Sequence, residues 1–430
     1  MLRPFPLVLT AALAAGCVDP LALGQSEVDA TRLADSDNLA HLAAALDDGE
    51  LTVQELLERG ESLTVSSAPD PTQPLLDTAA LDDDRPTTGG VPLRVMTQNV
   101  ALLDANIFWF IDYAQTPLLD ERRDELPGVF LDAEPDILFL QEVWLGEDVD
   151  RFAAAAEERG YEAVTGSRQG YNDGLMLLIR STLLEEGSEV ESGLQAYQVQ
   201  DGLEEFPGPG IKRGYQWARF THPQLGPIVV FNTHMQAFPA MWLNRLKQAR
   251  ELGIAIEREA TGGELVLVGG DLNAGPYYRD AKWESPDGTV EDSWWSNAFS
   301  YPMLLEYGGL TDLAVMGRPL EDAASDVTLG DTVVNDAALA LEIPGAREGF
   351  CEETPHTTFT ASDCNTLYFQ QYGGTEYPAR LDHLHVRDPE GRVRVLSTEL
   401  RFTEVSSFDG VETEPSDHYG VSVDLMIDGG

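Results

Sequence analysis

The stretch ELVLVGGDLNAGPYY (residues 264–278) decides how the chain is read. Leu265 to Val268 have the make-up of a short buried strand. Two glycines follow, and then an acid and an amide stand two apart, Asp271 and Asn273. Turn chemistry accounts for Gly, Asp and Asn wherever a strand ends. The same residues also suit a catalytic pair delivered at the C-terminal edge of a sheet. One segment does not separate the two readings; its neighbours along the chain do.

Similar apolar runs recur from residue 91 onward: LRVMTQNV (93–100), DILFLQEVW (136–144), GLMLLIR (174–180) and PIVVFNTH (227–234). Helical stretches lie between them, notably 147–160 and 240–259. Strands alternating with helices predict an α/β or α+β domain with buried sheet over residues 91–430. Segments 275–300 and 318–380 lack periodicity and read as long loops over the sheet's end.

Upstream, residues 1–16 read as a secretory signal, with Arg3 before an apolar run and Ala14-Ala15-Gly16 before Cys17. Small residues ahead of a cysteine match a lipoprotein-type signal, so the chain is expected to be exported and either lipid-anchored in the cell envelope or secreted. The apolar run is too short to span a bilayer. Residues 17–90 read as a tether: a small helical unit at 38–63 with a capping box at Thr52–Glu55, then a Pro- and Asp-rich linker. In an oxidising compartment Cys351 and Cys364 are expected to pair, closing a short loop worth about 3 kcal/mol.

The 430-residue chain carries a formal net charge of −47. Nucleic-acid binding needs a basic track, and Lys212, Lys247 and Lys282 are its only lysines. No nucleic-acid partner is expected, and the acid balance also disfavours polyanionic substrates.

Each apolar run ends in a polar group. Asn99 closes the first, Glu142 the second and His234 the fourth, while Asp271 and Asn273 follow the opening stretch. Later, RLDHLHV offers Asp382, and SDHYGV offers Asp417 and His418. Any one of these alone is a capped turn or a surface polar group; the series suits metal-assisted hydrolysis of a phosphate ester. A hard cation such as Mg²⁺, with Mn²⁺ or Co²⁺ as substitutes, takes oxygen ligands, a role for Glu142 and Asn99. His418 oriented by Asp382 would take a proton from the attacking water. His234 and Asn273 would donate to the charge gathering on the phosphoryl oxygens, and Asp271 would orient the water or His234.

The ordered set QN, LQEVW, NTH, GDLN, LDH and SDH resembles the endonuclease/exonuclease/phosphatase superfamily over about residues 91–428. PDILFLQEVW and NTHMQA are most similar to its neutral, Mg²⁺-dependent sphingomyelinase branch. The resemblance implies a deoxyribonuclease-like four-layer sandwich, two packed mixed β-sheets flanked by helices. It implies Asn99 and Glu142 as Mg²⁺ ligands, Asp271 and Asn273 as active-site polar groups, and His234 and His418 as essential histidines supported by Asp382 and Asp417. It leaves open whether His418 or Asp271 activates the water.

The chain departs from that branch at two places. His383 stands where the family usually has tyrosine. The aromatic hairpin that secreted sphingomyelinases insert into membrane is replaced, over 387–415, by a charged segment with only Phe402 and Phe408. Residues 106–113 and 366–377 are the apolar stretches left to touch a bilayer, and each reads equally as core packing. His383 and His385 alternate on one strand and are expected to be structural, as is His222 at a turn. His356 falls in a presumed active-site loop, and His41 has no assigned role.

The expectation is therefore an exported, monomeric phosphodiesterase acting on a phospholipid or sphingolipid at a membrane surface, with sphingomyelin as substrate. A nuclease or an inositol-phosphate or other phospholipid phosphoesterase of the same superfamily is the alternative. A non-catalytic surface-binding lipoprotein ranks below both, because the polar set is intact.

Overall fold

The apolar runs form strands because each is covered on both faces. The computed structural model describes residues 90–107, 111–165, 173–200, 212–237, 241–260, 262–275, 300–313, 360–361, 365–372 and 380–429. The described chain runs β1 (Val91–Asn99), a hairpin of β2 (Asp104–Ile107) and β3 (Ile111–Gln115), α1 (Leu119–Arg122), α2 (Leu126–Leu131) and β4 (Ile137–Gln141). Next come α3 (Gly146–Glu158), β5 (Tyr161–Thr165), β6 (Met176–Arg180), β7 (Glu191–Ala196), β8 (Gly214–His222), β9 (Gly226–His234), α4 (Trp242–Glu259) and β10 (Leu265–Asp271). After these lie α5 (Tyr301–Gly308), β11 (Thr311–Asp312), α6 (Thr366–Tyr372), β12 (Asp382–Arg387), β13 (Val393–Arg401), the hairpin β14 (Ser406–Phe408) and β15 (Val411–Thr413), and β16 (Gly420–Ile427).

Two six-stranded sheets result, ordered β13-β16-β1-β4-β6-β5 and β11-β12-β10-β9-β8-β7. Each is mixed: β1 with β4 and β9 with β10 run parallel, and the other neighbours run antiparallel. Between the sheets Val95, Ile137, Phe139, Val421 and Val423 pack against Ile228, Val230, Leu265, Leu267 and Leu384. The opposite faces are covered by helices, Phe130 and Phe152 on the first sheet and Leu246, Leu252, Ile256 and Leu304 on the second. Helix, sheet, sheet and helix make the four-layer α+β sandwich that the superfamily resemblance implies. Each fully buried Leu, Ile, Val or Phe contributes about 1.5–3 kcal/mol.

Strands β7, β13 and β16 lack a continuous apolar run. In β16 Val421, Val423, Leu425 and Ile427 alternate inward, the period of a strand with one buried face. Part of the expected loop at 318–380 is helical. Asn365 Oδ1 caps α6 by accepting from Leu367 N at 3.0 Å and Tyr368 N at 3.1 Å. Leu367 and Tyr368 are buried, so these two residues of the candidate bilayer stretch 366–377 pack in the core. Phe408 is buried and Phe402 meets Phe130 edge to face at 4.9 Å, which takes both aromatics of the 387–415 segment inward as well. No helix among the described residues is long and apolar enough to cross a membrane.

Candidate active site

The inter-sheet core turns polar at one end, and strand parity dictates which residues do this. Leu93 and Val95 of β1 lead to Thr97 and Asn99, and Ile137 and Phe139 of β4 lead to Gln141. Ile228 and Val230 of β9 lead to Asn232 and His234; Leu265 and Leu267 of β10 lead to Asp271; Leu384 and Val386 of β12 share a face with Asp382. The strand ends meet across the interface, with Gln141 Nε2 donating to Asn232 Oδ1 at 2.7 Å and Asn99 Nδ2 to Asp271 Oδ2 at 3.0 Å. Gly269 makes the approach possible: a Cβ there would lie 2.6 Å from the ring of Phe139 in the facing sheet.

His418 Nδ1 lies 2.8 Å from Asp382 Oδ2, so Nδ1–H is committed to the carboxylate and Nε2 is the nitrogen able to take a proton. Burial disfavours the imidazolium, yet Asp382, Asp271 and Asp417 outweigh it and hold the His418 pKa well above its usual value. The loop carrying His418 is fixed from both sides. Gln98 Nε2 donates to His418 O at 3.1 Å, and Ser416 Oγ donates to Asn99 O at 2.6 Å.

Asp271 is occupied on both oxygens. Oδ1 accepts from Asn273 N at 2.9 Å, while Oδ2 accepts from Asn99 Nδ2 and faces His234 Nε2 at 3.3 Å. Burial and the neighbouring Asp382 push its carboxyl up to about 6. These bonds suit it to an orienting role. Asn273 takes a left-handed φ of 48° and turns Nδ2 onto Met235 O at 3.2 Å. Arg213 Nη1 sits 2.6 Å from Nε2 and 2.7 Å from Nδ1 of His234. Burial first, and then the Arg213 and His418 charges, hold His234 well below the ordinary histidine range, so the ring is neutral.

Glu142 follows β4 in a left-handed conformation, φ 65°. Burial pushes its carboxyl up to about 7, Asp417 and Asp271 add to the rise, and Arg213 and His418 oppose it. Asp417 is raised by burial too. Buried Arg122 donates to Ala101 O at 2.8 Å and Pro415 O at 2.6 Å, its charge felt at both Glu142 and Asp417. Asn99 Oδ1 accepts from Ala101 N at 3.0 Å, which leaves one lone pair on the amide oxygen.

The model of the endonuclease/exonuclease/phosphatase family matches residues 96–418. The chain belongs to this family. Members are phosphoesterases, and the chain is accordingly a hydrolase of phosphate esters. Its backbone resembles several solved structures at low identity. Beta toxin from Staphylococcus aureus aligns at TM-score 0.48 and 14% identity, over 77% of this chain and 99% of the toxin. SmcL aligns at 0.47 and 15%, over 78% and 99%. TDP2 from D. rerio, solved with a single-strand DNA product, aligns at 0.47 and 18%, over 78% and 98%. No curated protein sequence matches the chain.

The donor set at the mouth fits a hard divalent cation. Glu142, Asp271 and Asp417 are carboxylates raised by burial and by neighbouring carboxylates, a charge imbalance that a dication relieves. Glu142 and the remaining lone pair of Asn99 Oδ1 would hold it. When bound, such an ion polarises a phosphoryl oxygen and neutralises the leaving oxygen. His418 Nε2 would be the atom to take the proton of an attacking water, with Asp382 holding the ring. Arg213 would present N–H donors to charge on the phosphoryl oxygens, while the single N–H of neutral His234, at Nε2, faces Asp271 Oδ2.

The structure thus brings Asn99, Glu142, His234, Asp271, Asn273, Asp382, Asp417 and His418 to one mouth. It adds residues that sequence reading missed. Gln98, Gln141 and Asn232 carry a legible signal, being polar residues inside or at the end of apolar strands. Arg122 and Arg213 carry none, since only the fold brings them inward. His222 is at a turn, its Nδ1 accepting from Gln224 N and Leu225 N at 3.1 Å. His383 and His385 lie outside the mouth, on the opposite face of β12 from Asp382. The signal at 1–16, Cys17, the tether to residue 89, His41, His356 and the Cys351–Cys364 pair lie outside the described residues.

Proposed function

We propose that the chain is an exported Mg²⁺-dependent phosphodiesterase that hydrolyses sphingomyelin to ceramide and phosphocholine. The observation that carries the chemistry is the His418–Asp382 pair, 2.8 Å apart, at the mouth that also holds Glu142. It supports in-line attack by a water that His418 deprotonates; Glu142 and Asn99 would hold the cation.

The substrate is supported by the NTHMQA and PDILFLQEVW motifs and by charge. Sphingomyelin presents a zwitterionic head group, which a protein of net charge −47 approaches with little Coulomb penalty. DNA and inositol polyphosphates are repelled by the same field. Export, with the chain lipid-anchored or secreted, is supported by the N-terminal signal and places the enzyme where a lipid surface is available.

Parallel hydrolysis of sphingomyelin, phosphatidylcholine, DNA and an inositol polyphosphate, each with Mg²⁺ and with EDTA, tests the proposal. Mg²⁺-dependent release of phosphocholine from sphingomyelin is expected. Cleavage of DNA or dephosphorylation of the polyphosphate with sphingomyelin untouched would assign the chain to another branch of the family. EDTA-resistant turnover would remove the cation from the mechanism.

A further inference from the structure

On the helix-facing side of the second sheet, a separate polar cluster is sealed in. His383 and His385 alternate on β12 and face the same side, and Asp312 of β11 is the register partner of His385. All three are buried, and one ligand-type atom from each lies within 4.8 Å of the others. Tyr301 of α5 covers them, its ring 4.7 Å from His383 and 5.9 Å from His385.

The hydrogen bonds of this cluster do not close on their own. His383 Nε2 lies 3.0 Å from Ala274 O and 2.9 Å from Arg380 O. Carbonyls only accept, so Nε2 carries the proton and the neutral ring has a bare lone pair on Nδ1. That lone pair faces Asp312 Oδ2 at 3.6 Å, acceptor against acceptor. Both ring nitrogens of His385 are buried without a hydrogen-bond partner, in a residue 1% exposed. Protonation is a poor remedy. Burial disfavours both imidazolium ions, the Arg380 charge adds to that, and the opposing pull of Asp312 does not overcome it.

We propose that Asp312, His383 and His385 form a second metal site, holding a borderline transition dication such as Zn²⁺. Two imidazoles and a carboxylate are a usual donor set for that ion, unlike the oxygen ligands at Glu142. Metal-ligating histidines characteristically donate their other N–H to a carbonyl or carboxylate, as His383 does to Ala274 O and Arg380 O. Ligating carboxylates are themselves hydrogen-bonded, and Asp312 Oδ2 accepts from Tyr301 OH and from Arg380 Nη2 at 2.5 Å. Arg380 is paired with Asp312, and the Asp382 charge on the other face of β12 is felt at His383. The ion would pin the short edge strand β11 to β12, whose first residue is Asp382. This site is independent of the substrate assignment.

The full chain carrying Glu142→Gln, which disables the mouth, is stripped with chelator and titrated with Zn²⁺ and with Co²⁺. One equivalent retained through gel filtration is expected, with a Co²⁺ d–d absorption spectrum of four- or five-coordinate nitrogen and oxygen ligation. Adding His385→Phe, which keeps an aromatic ring under Tyr301, should abolish both signals. Wild-type crystals soaked in Zn²⁺ provide a measurement that needs no variant, through an anomalous peak between Asp312, His383 and His385. A soaked crystal without that peak overturns the proposal. So does a folded double variant that keeps its equivalent of metal.

Discussion

His418 and Asp382 are hydrogen-bonded, Nδ1 to Oδ2 at 2.8 Å, across the interface between the two sheets. Asp382 opens β12 in one sheet, and His418 stands two residues before β16 in the other. The proposed base therefore forms this pair only when the sheets are stacked in register.

Replacing Asp382 by Asn removes the carboxylate that fixes the ring and supports its charge. A drop in kcat of about 10²–10⁴-fold is expected, and His418→Ala should lose a similar factor with its far-UV spectrum intact. The pH profile gives a sharper check. Asp382 helps raise the His418 pKa, and a base works in its neutral form, so activity rises as pH rises through that pKa. Asp382→Asn should move this limb to lower pH, measured as kcat/KM at saturating Mg²⁺.

Glu142 exchanges stability for function. Its folded-state pKa, about 7, lies above the ordinary 4.5, so the stability associated with its protonated form is full below about 4.5 and is lost as pH rises through 7. In EDTA at pH 8, Glu142→Gln is expected to melt a few degrees (~2–4 °C) above wild type. The advantage should vanish near pH 4.5, and Mg²⁺ should raise the melting temperature of wild type but not of the variant. Differential scanning calorimetry at the two pH values reads all three outcomes.

Burial, reinforced by the Arg213 charge, holds His234 neutral, and Arg213 reaches the same mouth as Glu142. Arg213→Ala should cost about 10²–10³-fold in kcat, the scale of a lost transition-state donor. Lysine should not restore it, because a compact ammonium does not reproduce the planar guanidinium whose Nη1 sits against both ring nitrogens of His234. Steady-state kinetics of both variants decide; full rescue by lysine would reduce Arg213 to a point charge.

Asn232 ties the sheets together. It accepts from Gln141 and donates Nδ2 to Leu140 O at 2.8 Å and Met176 O at 3.0 Å. Asn232→Leu removes one of the two acceptors of Gln141 Nε2, leaving Thr97 Oγ1 at 3.2 Å, and withdraws the donor from Leu140 O and Met176 O, at a cost of about 1–3 kcal/mol for each buried group left open. A lower urea midpoint at unchanged m-value is the expected result.

Much of the fold was legible because buried strands at the centre of a sheet are apolar on both faces. β1, β4, β9 and β10 stand out in the sequence for that reason. β7 at a sheet edge and the alternating β16 do not, since half their residues meet other surroundings. The site was legible where a polar side chain closes an apolar run, as with Glu142, His234 and Asp271. Arg213 lies just before β8 and Arg122 ends a four-residue helix, and no local pattern marks either as inward-facing.

By itself the sequence determined which chemical groups are available and that they stand at strand ends, because the two-residue period of a strand fixes which side chains share a face. Only the tertiary structure decided their partners. Asn99 meets Asp271 over 172 residues of chain, Gln141 meets Asn232 over 91, and His418 meets Asp382 over 36. Such pairs are set by how two sheets stack and in what register, which depends on the packing of the whole inter-sheet core and is written in no single segment.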